Sequence, residues 1–351
     1  MTLRRGAFSL ALVAIGAAAC AGVPVPPSAT QSAAGQAVRI TAHFAFFSDF
    51  ETNLNDALIA AGRARDNRGS APSLEPACIK ALPAAERAGW SRAVDQYAGT
   101  ISSRSTGSRD QMRIRLELAG VVKDDEWEDP AERRFIEATR AIRAAAAPAY
   151  RACRWTAQDR ANRRWIEALL PLLIEHESML AGRLAEAFQT GWASLPIRVD
   201  VVETVDWTGA NTIHLRPPSA HVLISSSNPG YQDAAALEMV FHEASHFLTG
   251  RDTPLRRALE DAVPRAAGNP FRGDLVHAVH FYMTGEIVRR RLHEAGIDYR
   301  PYMYAQRLYR GSVFFQAVES TWPAYLDGET TLPDAARALV QALQKTDGGK
   351  K

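Results

Sequence analysis

The chain has 351 residues, of which 46% are hydrophobic and 23% charged, with a formal net charge of +2. That composition excludes a disordered or fibrous chain and is enough to bury a sizeable core. It also gives no electrostatic case for a nucleic-acid partner, least of all once the arginines of an N-terminal leader are set aside.

Taken from the N-terminus, Arg4 and Arg5 precede an apolar run over residues 8–19. The run is too short to cross a bilayer as a mature helix. Small residues at Ala17, Ala18 and Ala19 then lead into Cys20. Residues 1–20 therefore read as an export signal of lipoprotein type, with Cys20 as the lipidated residue. An ordinary cleaved signal with an incidental cysteine is the competing reading. Residues 21–36, rich in Pro, Ser, Ala and Gly, read as a flexible linker. The expectation is an exported, periplasmic protein held to the membrane of the cell envelope by a lipid anchor. Apart from Cys20, the cysteines are Cys78 and Cys153. In an oxidising compartment such a pair can close a disulfide, and two unrelated buried thiols are the alternative.

Residues 37–190 read as a helical N-terminal half. Amphipathic periodicity predicts helices over residues 50–65, 83–98, 109–118, 130–147 and 157–188. The last should face Ile166, Leu169, Leu170, Leu173, Ile174, Leu180, Leu184 and Phe188 inward. Residues 38–47 suit either a strand or the apolar approach to the first helix. The triplet Glu175-His176-Glu177 reads as part of a solvated face rather than a metal site.

After residues 191–196 the texture turns to β. Strands are predicted over residues 197–205, 212–215 and 221–225, with 222–225 as the edge strand and His214 and His221 on the sheet surface. Residues 191–351 thus combine a small sheet with helices, and the fold class is α+β, mostly helical.

Residues 233–250 read DAAALEMVFHEASHFLTG. Leu237, Val240, Phe241, Ala244, Phe247 and Leu248 fall at steps of three and four, one stripe at helical period. Asp233 suits an N-cap and Gly250 a C-terminal stop. On this helix His242 and His246 stand one turn apart, where both imidazoles can meet one ion, and Glu243 lies beside them. A catalytic zinc normally takes a third protein ligand. The following helix, over residues 274–295, shows an apolar stripe of Leu275, Val276, Val279, Tyr282, Met283 and Ile287, with Glu286 inside it. A carboxylate facing a core must be paired, protonated or bound to a cation. Glu286 is therefore the favoured third ligand, with His280 or His277 as alternative ligand or oxyanion donor. An ion pair between Glu286 and an arginine is the non-metal reading. Tyr299, Tyr302, Tyr304 and Tyr309 are further oxyanion-donor candidates.

His242, Glu243 and His246, with a glutamate on a following helix, resemble the gluzincin arm of the zincin metallopeptidases. The resemblance covers residues 197–292. It implies a zincin-like catalytic module in which a small sheet precedes the HExxH helix, Zn2+ as cofactor, and Glu243 as general base and then acid. It also implies a peptide or protein substrate paired with an edge strand. The chain departs from the family in two respects. The interval from His246 to Glu286 is long, and Arg290 stands where many gluzincins carry an aspartate. The residues orienting the ligands must therefore come from elsewhere, with Glu260, Asp261 and Asp274 as candidates. The function expected is a zinc-dependent peptide-bond hydrolase of the envelope. The alternatives are a non-catalytic scaffold or binding lipoprotein, and a zinc amidase acting on peptidoglycan.

Overall fold

The structure is a computed structural model that describes residues 36–66, 74–102, 108–122, 127, 129–205, 209–214, 220–263, 274–309 and 312–348. The export signal, Cys20 and the linker up to residue 35 lie outside the described residues. The chain is mostly helical with one small mixed sheet.

Two short strands come first, β1 (Arg39–Ile40) and β2 (Phe44–Phe47), folded back on each other. Five helices follow: α1 (Phe50–Arg65), α2 (Pro76–Ala81), α3 (Ala84–Thr100), α4 (Arg109–Leu118) and α5 (Pro130–Tyr150). Asp49 caps α1, accepting from the Thr52 N–H, and Ser108 caps α4 in the same way. A π-helical turn, Arg151–Trp155, joins α5 directly to the long helix α6 (Thr156–Ala187). The Cys78–Cys153 disulfide ties α2 to that turn.

Three more strands complete the sheet: β3 (Ile197–Val202), β4 (Ala210–His214) and β5 (Ala220–Ser225). The order is β1-β2-β3-β5-β4, with β2, β3 and β5 parallel and the outer strands antiparallel. Two expectations are settled here. First, β5 is an inner strand buried along its whole length, and β4 is the edge. An inner strand covered on both faces reads as a continuous apolar run, as Val222-Leu223-Ile224 does. Second, of the two readings of residues 38–47 the strand holds, as β1 and β2, and the apolar approach to the first helix does not.

One sheet face (Phe44, Phe46, Val199, Val201, Val222 and Ile224) joins the main core with α6 and α7 (Asp233–Ser245). The opposite face lies towards α1 and α4, where Val202, Ile213 and Leu223 meet Met112 and Leu116. His221 is on this side. It is buried, not surface-exposed, with Nε2 2.5 Å from Asp200 Oδ2. Arg198 donates two further bonds to Asp200, which is 0% exposed. Burial raises the Asp200 carboxyl pKa, but His221 and Arg198 outweigh it and hold that pKa below its ordinary value.

Two readings of α6 are also corrected. Ile174 is 74% exposed, whereas His176 is buried, as is Glu177, whose Oε1 accepts from the Ala42 N–H at 2.9 Å. That bond pins the β1–β2 turn to α6.

The chain continues through a 3-10 turn (His246–Thr249), α8 (Pro254–Ala262), α9 (Asp274–Glu294), α10 (Tyr302–Ala305), α11 (Val313–Thr321), α12 (Pro323–Leu326) and α13 (Leu332–Gly348). Helix α9 is central, in contact with α6, α7, α10 and α11.

Candidate metal centre

Helix α7 begins near Asp233, as its periodicity predicts, although Gln232 rather than Asp233 holds the cap position and no side chain caps it. The α-helix ends at Ser245, and His246 opens the 3-10 turn that stops at Gly250. His242 and His246 keep one face, with ring centroids 4.9 Å apart.

Opposite them stand two histidines from α9. Nitrogen atoms of His242, His246, His277 and His280 all lie within 4.8 Å of one another. His277 Nε2 is 3.3 Å from His242 Nε2. The His280 ring stacks on His242 at 4.4 Å and meets His246 edge-on at 4.4 Å. The walls are aromatic: Phe281 lies 4.0 Å from the His242 ring and Phe188 5.6 Å from that of His280.

Such a set suits a cation. His242 and His280 are each 1% exposed. Burial, then the nearby rings of His280, His246 and His277, push the His242 pKa well below its ordinary value, so its imidazole stays neutral. Its Nδ1 is buried with no hydrogen-bond partner among the described residues. A tetrahedron with metal–nitrogen bonds of about 2.0–2.1 Å has edges of about 3.3–3.4 Å. The 3.3 Å between His242 and His277 is such an edge. The group could hold a metal ion.

Two side chains contact the α9 histidines. Tyr309 Oη lies 2.7 Å from His277 Nδ1. Ser245 Oγ lies 2.8 Å from His280 Nε2 and also reaches the His242 carbonyl at 3.2 Å. These contacts, rather than Glu260, Asp261 or Asp274, are the ones that could orient the histidines. Glu260 and Asp261 are exposed on α8, and the Asp274 side chain lies outside the described residues.

Glu243 is at the edge of the cluster, its Oε2 3.9 Å from His246 Nε2. Burial pushes its pKa up to about 7, against a lowering hydrogen bond from Thr212. The Thr212 hydroxyl lies 2.5 Å from that Oε2 and 2.7 Å from the Glu243 carbonyl oxygen. Thr212 belongs to the edge strand β4, so the sheet edge and the carboxylate are directly joined.

Glu286 is not brought to the cluster. Arg289 donates two bonds to it, at 2.7 and 2.6 Å, and Arg290 one at 2.8 Å. Burial raises its pKa, but the two arginines outweigh it and hold it below the ordinary carboxylate value. Helical geometry gives the reason. At 3.6 residues per turn His277 and His280 are about 60° apart, and Glu286 is about 180° from His277. Because α9 is buried on nearly all sides, its apolar residues mark no single facing stripe. The informative signal was the second histidine pair itself, three residues apart on one helix.

Of the tyrosines, only Tyr309 is bonded to a member of the cluster in the contacts described. Tyr299 donates to Glu238 at 2.7 Å, Tyr302 packs on Tyr231, and Tyr304 on Phe315. Glu238 itself is buried one turn before His242, and also accepts from the Tyr302 N–H at 3.0 Å. Comparison with protein-family models, curated proteins and solved structures finds no match for this chain.

Proposed function

We propose that the chain is a zinc-dependent peptide-bond hydrolase with Glu243 as its proton carrier. One observation carries this reading: a buried carboxylate, its pKa raised to about 7, stands beside four converging imidazoles. His242 and His246 with His277 and His280 would hold the ion. When bound, zinc supplies Lewis acidity and lowers the pKa of water towards neutrality.

The chain's own residues do the rest. A pKa near the working pH suits a group that takes a proton from water and then delivers one to the leaving amine. Thr212 fixes the direction of the carboxylate. Strand β4 is an edge of the sheet, so its outward backbone groups suit an extended peptide added as a further strand. That arrangement supports a zincin-like module and a peptide or protein substrate. The membrane-anchored, periplasmic setting rests on residues 1–36 alone.

A second reading has its own support. Four protein ligands fill a zinc ion as structural sites do, leaving no position for substrate. A non-catalytic envelope scaffold would have that property. Metal analysis of the purified full chain, followed by peptide and cell-wall digestion assays, separates the readings. About one zinc per chain with peptide cleavage supports the hydrolase. Cleavage of cell wall alone points to a peptidoglycan amidase, and zinc with neither activity points to the scaffold. A chain that takes up no zinc overturns the hydrolase and the amidase and leaves the scaffold.

A further inference from the structure

A hydrolytic zinc site keeps one coordination position for its substrate, yet four imidazoles converge here. If the proposed function holds, one of the four must be replaceable, and the geometry distinguishes them. His242 and His280 are 1% exposed and stack on each other. His246 directly follows the helix that carries Glu243, with the two side chains 3.9 Å apart, so its displacement would disturb the base. His277 differs from His242 and His280 in burial, a property that it shares with His246, and from His246 in standing on the other helix. It is only partly buried, and it lies in the first turn of α9. Its ring centroid stands 6.2 Å from that of His280, farther than any other pair in the group.

His277 also has a partner able to hold it in either of two states. Tyr309 Oη is 2.7 Å from His277 Nδ1. If Nδ1–H donates to the phenol oxygen, Nε2 presents a lone pair and can ligate. If the phenol O–H donates to Nδ1, Nε2 must carry the proton of the neutral ring and becomes a hydrogen-bond donor. Rotation of the hydroxyl, with the Nδ1 proton released to water and one taken up from water at Nε2, converts a ligand into a donor without changing the charge of the site. Tyr309 is held for this contact in a left-handed backbone conformation, φ 59°, and Arg307 two residues earlier has φ 55°. Both are conformations that a residue with a Cβ rarely adopts.

We propose that His242, His246 and His280 are the permanent ligands and that His277 is the exchangeable fourth. Tyr309 is its positioning residue, and the displaced His277 offers its Nε2–H to the oxygen of a bound amide.

The test uses the full chain loaded with Co2+, read by metal content and by visible absorption, with azide as the added ligand. Wild type, His277→Ala, His277→Gln, Tyr309→Phe and His280→Ala are compared, with circular dichroism to show that each is folded. The expected result is that both His277 variants keep the ion, with affinity reduced by no more than about 100-fold, as for a supporting residue. His280→Ala loses the ion. Azide should perturb the cobalt spectrum of His277→Ala at a concentration about tenfold lower than in wild type, because the position is already open. Tyr309→Phe should fall between them. If both folded His277 variants lose cobalt as completely as His280→Ala, or if azide binds wild type and His277→Ala equally, His277 is a permanent ligand and this inference is overturned. A folded wild type that binds neither cobalt nor zinc overturns the function proposed above, a different failure.

Discussion

The Thr212 hydroxyl sits between two oxygens of one residue, 2.7 Å from the Glu243 carbonyl and 2.5 Å from its carboxyl Oε2. A hydroxyl has one proton to give. With Glu243 ionised, only one of these contacts can be donated by Thr212. With Glu243 protonated, the carboxyl donates to Thr212 and Thr212 donates to the carbonyl, so both are satisfied. Thr212 thus senses the protonation state of the proposed base. Its hydrogen bond lowers the Glu243 pKa, so Thr212→Val should raise it. The acid limb of the pH–rate profile then moves to higher pH than in wild type. An unmoved limb would remove Thr212 from the proton transfer.

Glu243→Gln should keep the metal and lose turnover by about 100-fold or more, the usual contribution of a general acid–base group. Metal content and peptide hydrolysis on the same sample check both halves. Full activity in this variant would remove Glu243 from the mechanism.

Glu286 gives the complementary control. Its partners are Arg289 and Arg290, and Arg290 also bonds Asp327 at 2.7 Å. Glu286→Ala should therefore leave metal content unchanged while lowering thermal stability. Loss of the ion in this variant, with His280→Ala retaining it, would restore the glutamate as ligand.

Glu238 makes stability depend on pH. Burial pushes its pKa up from 4.5 to about 7, against opposing hydrogen bonds from Tyr299 and Tyr302. Between those values the unfolded chain has lost the proton and the folded chain keeps it. Stability therefore falls as pH rises through this window, by order 3 kcal/mol. Glu238→Gln removes the titration, so the difference between variant and wild-type melting curves should change across the window and be flat above it. A constant difference from pH 4 to 8 would show that Glu238 does not titrate there. Gly285 faces the same carboxylate, and a Cβ at that position would come 3.1 Å from Glu238 Oε1. Gly285→Ala should accordingly destabilise the α7–α9 contact.

Reduction of the Cys78–Cys153 bridge, or its replacement by serines, should cost about 2–4 kcal/mol through the freed unfolded chain. Metal content should not change, because neither cysteine belongs to the histidine cluster. Thermal melts with and without reductant measure the first, and elemental analysis the second.

Local periodicity made much of this legible. The helix carrying His242, Glu243 and His246 could be read from its apolar stripe, and α1, α4 and α6 begin and end within a residue or two of the sequence expectation. What escaped was non-local. The pairing of Phe44–Phe47 with Ile197–Val202 joins segments separated by nearly the whole N-terminal half, and nothing in either strand names its partner. The edge position of Ala210–His214 follows from strand order, which alternation does not encode. The choice of Glu286 failed because α9 is enclosed by several helices, so a carboxylate inside an apolar pattern could be satisfied by arginines on its own helix.

The π-helical turn at Arg151–Trp155 has a wider consequence. Helix α5 places Ile136, Ala146 and Ala149 in the core formed with α1 and α3. Beyond the turn, α6 places Ile166, Leu169 and Leu173 in the core beneath the sheet. A wider turn rotates the helical face and so lets one uninterrupted rod serve two interiors that look in different directions. Neither interior can loosen without bending the beam that supports the other. The two should melt as one cooperative transition, and strain applied at the α2 disulfide should be felt at the far end of α6, where Phe188 closes the wall of the histidine cluster.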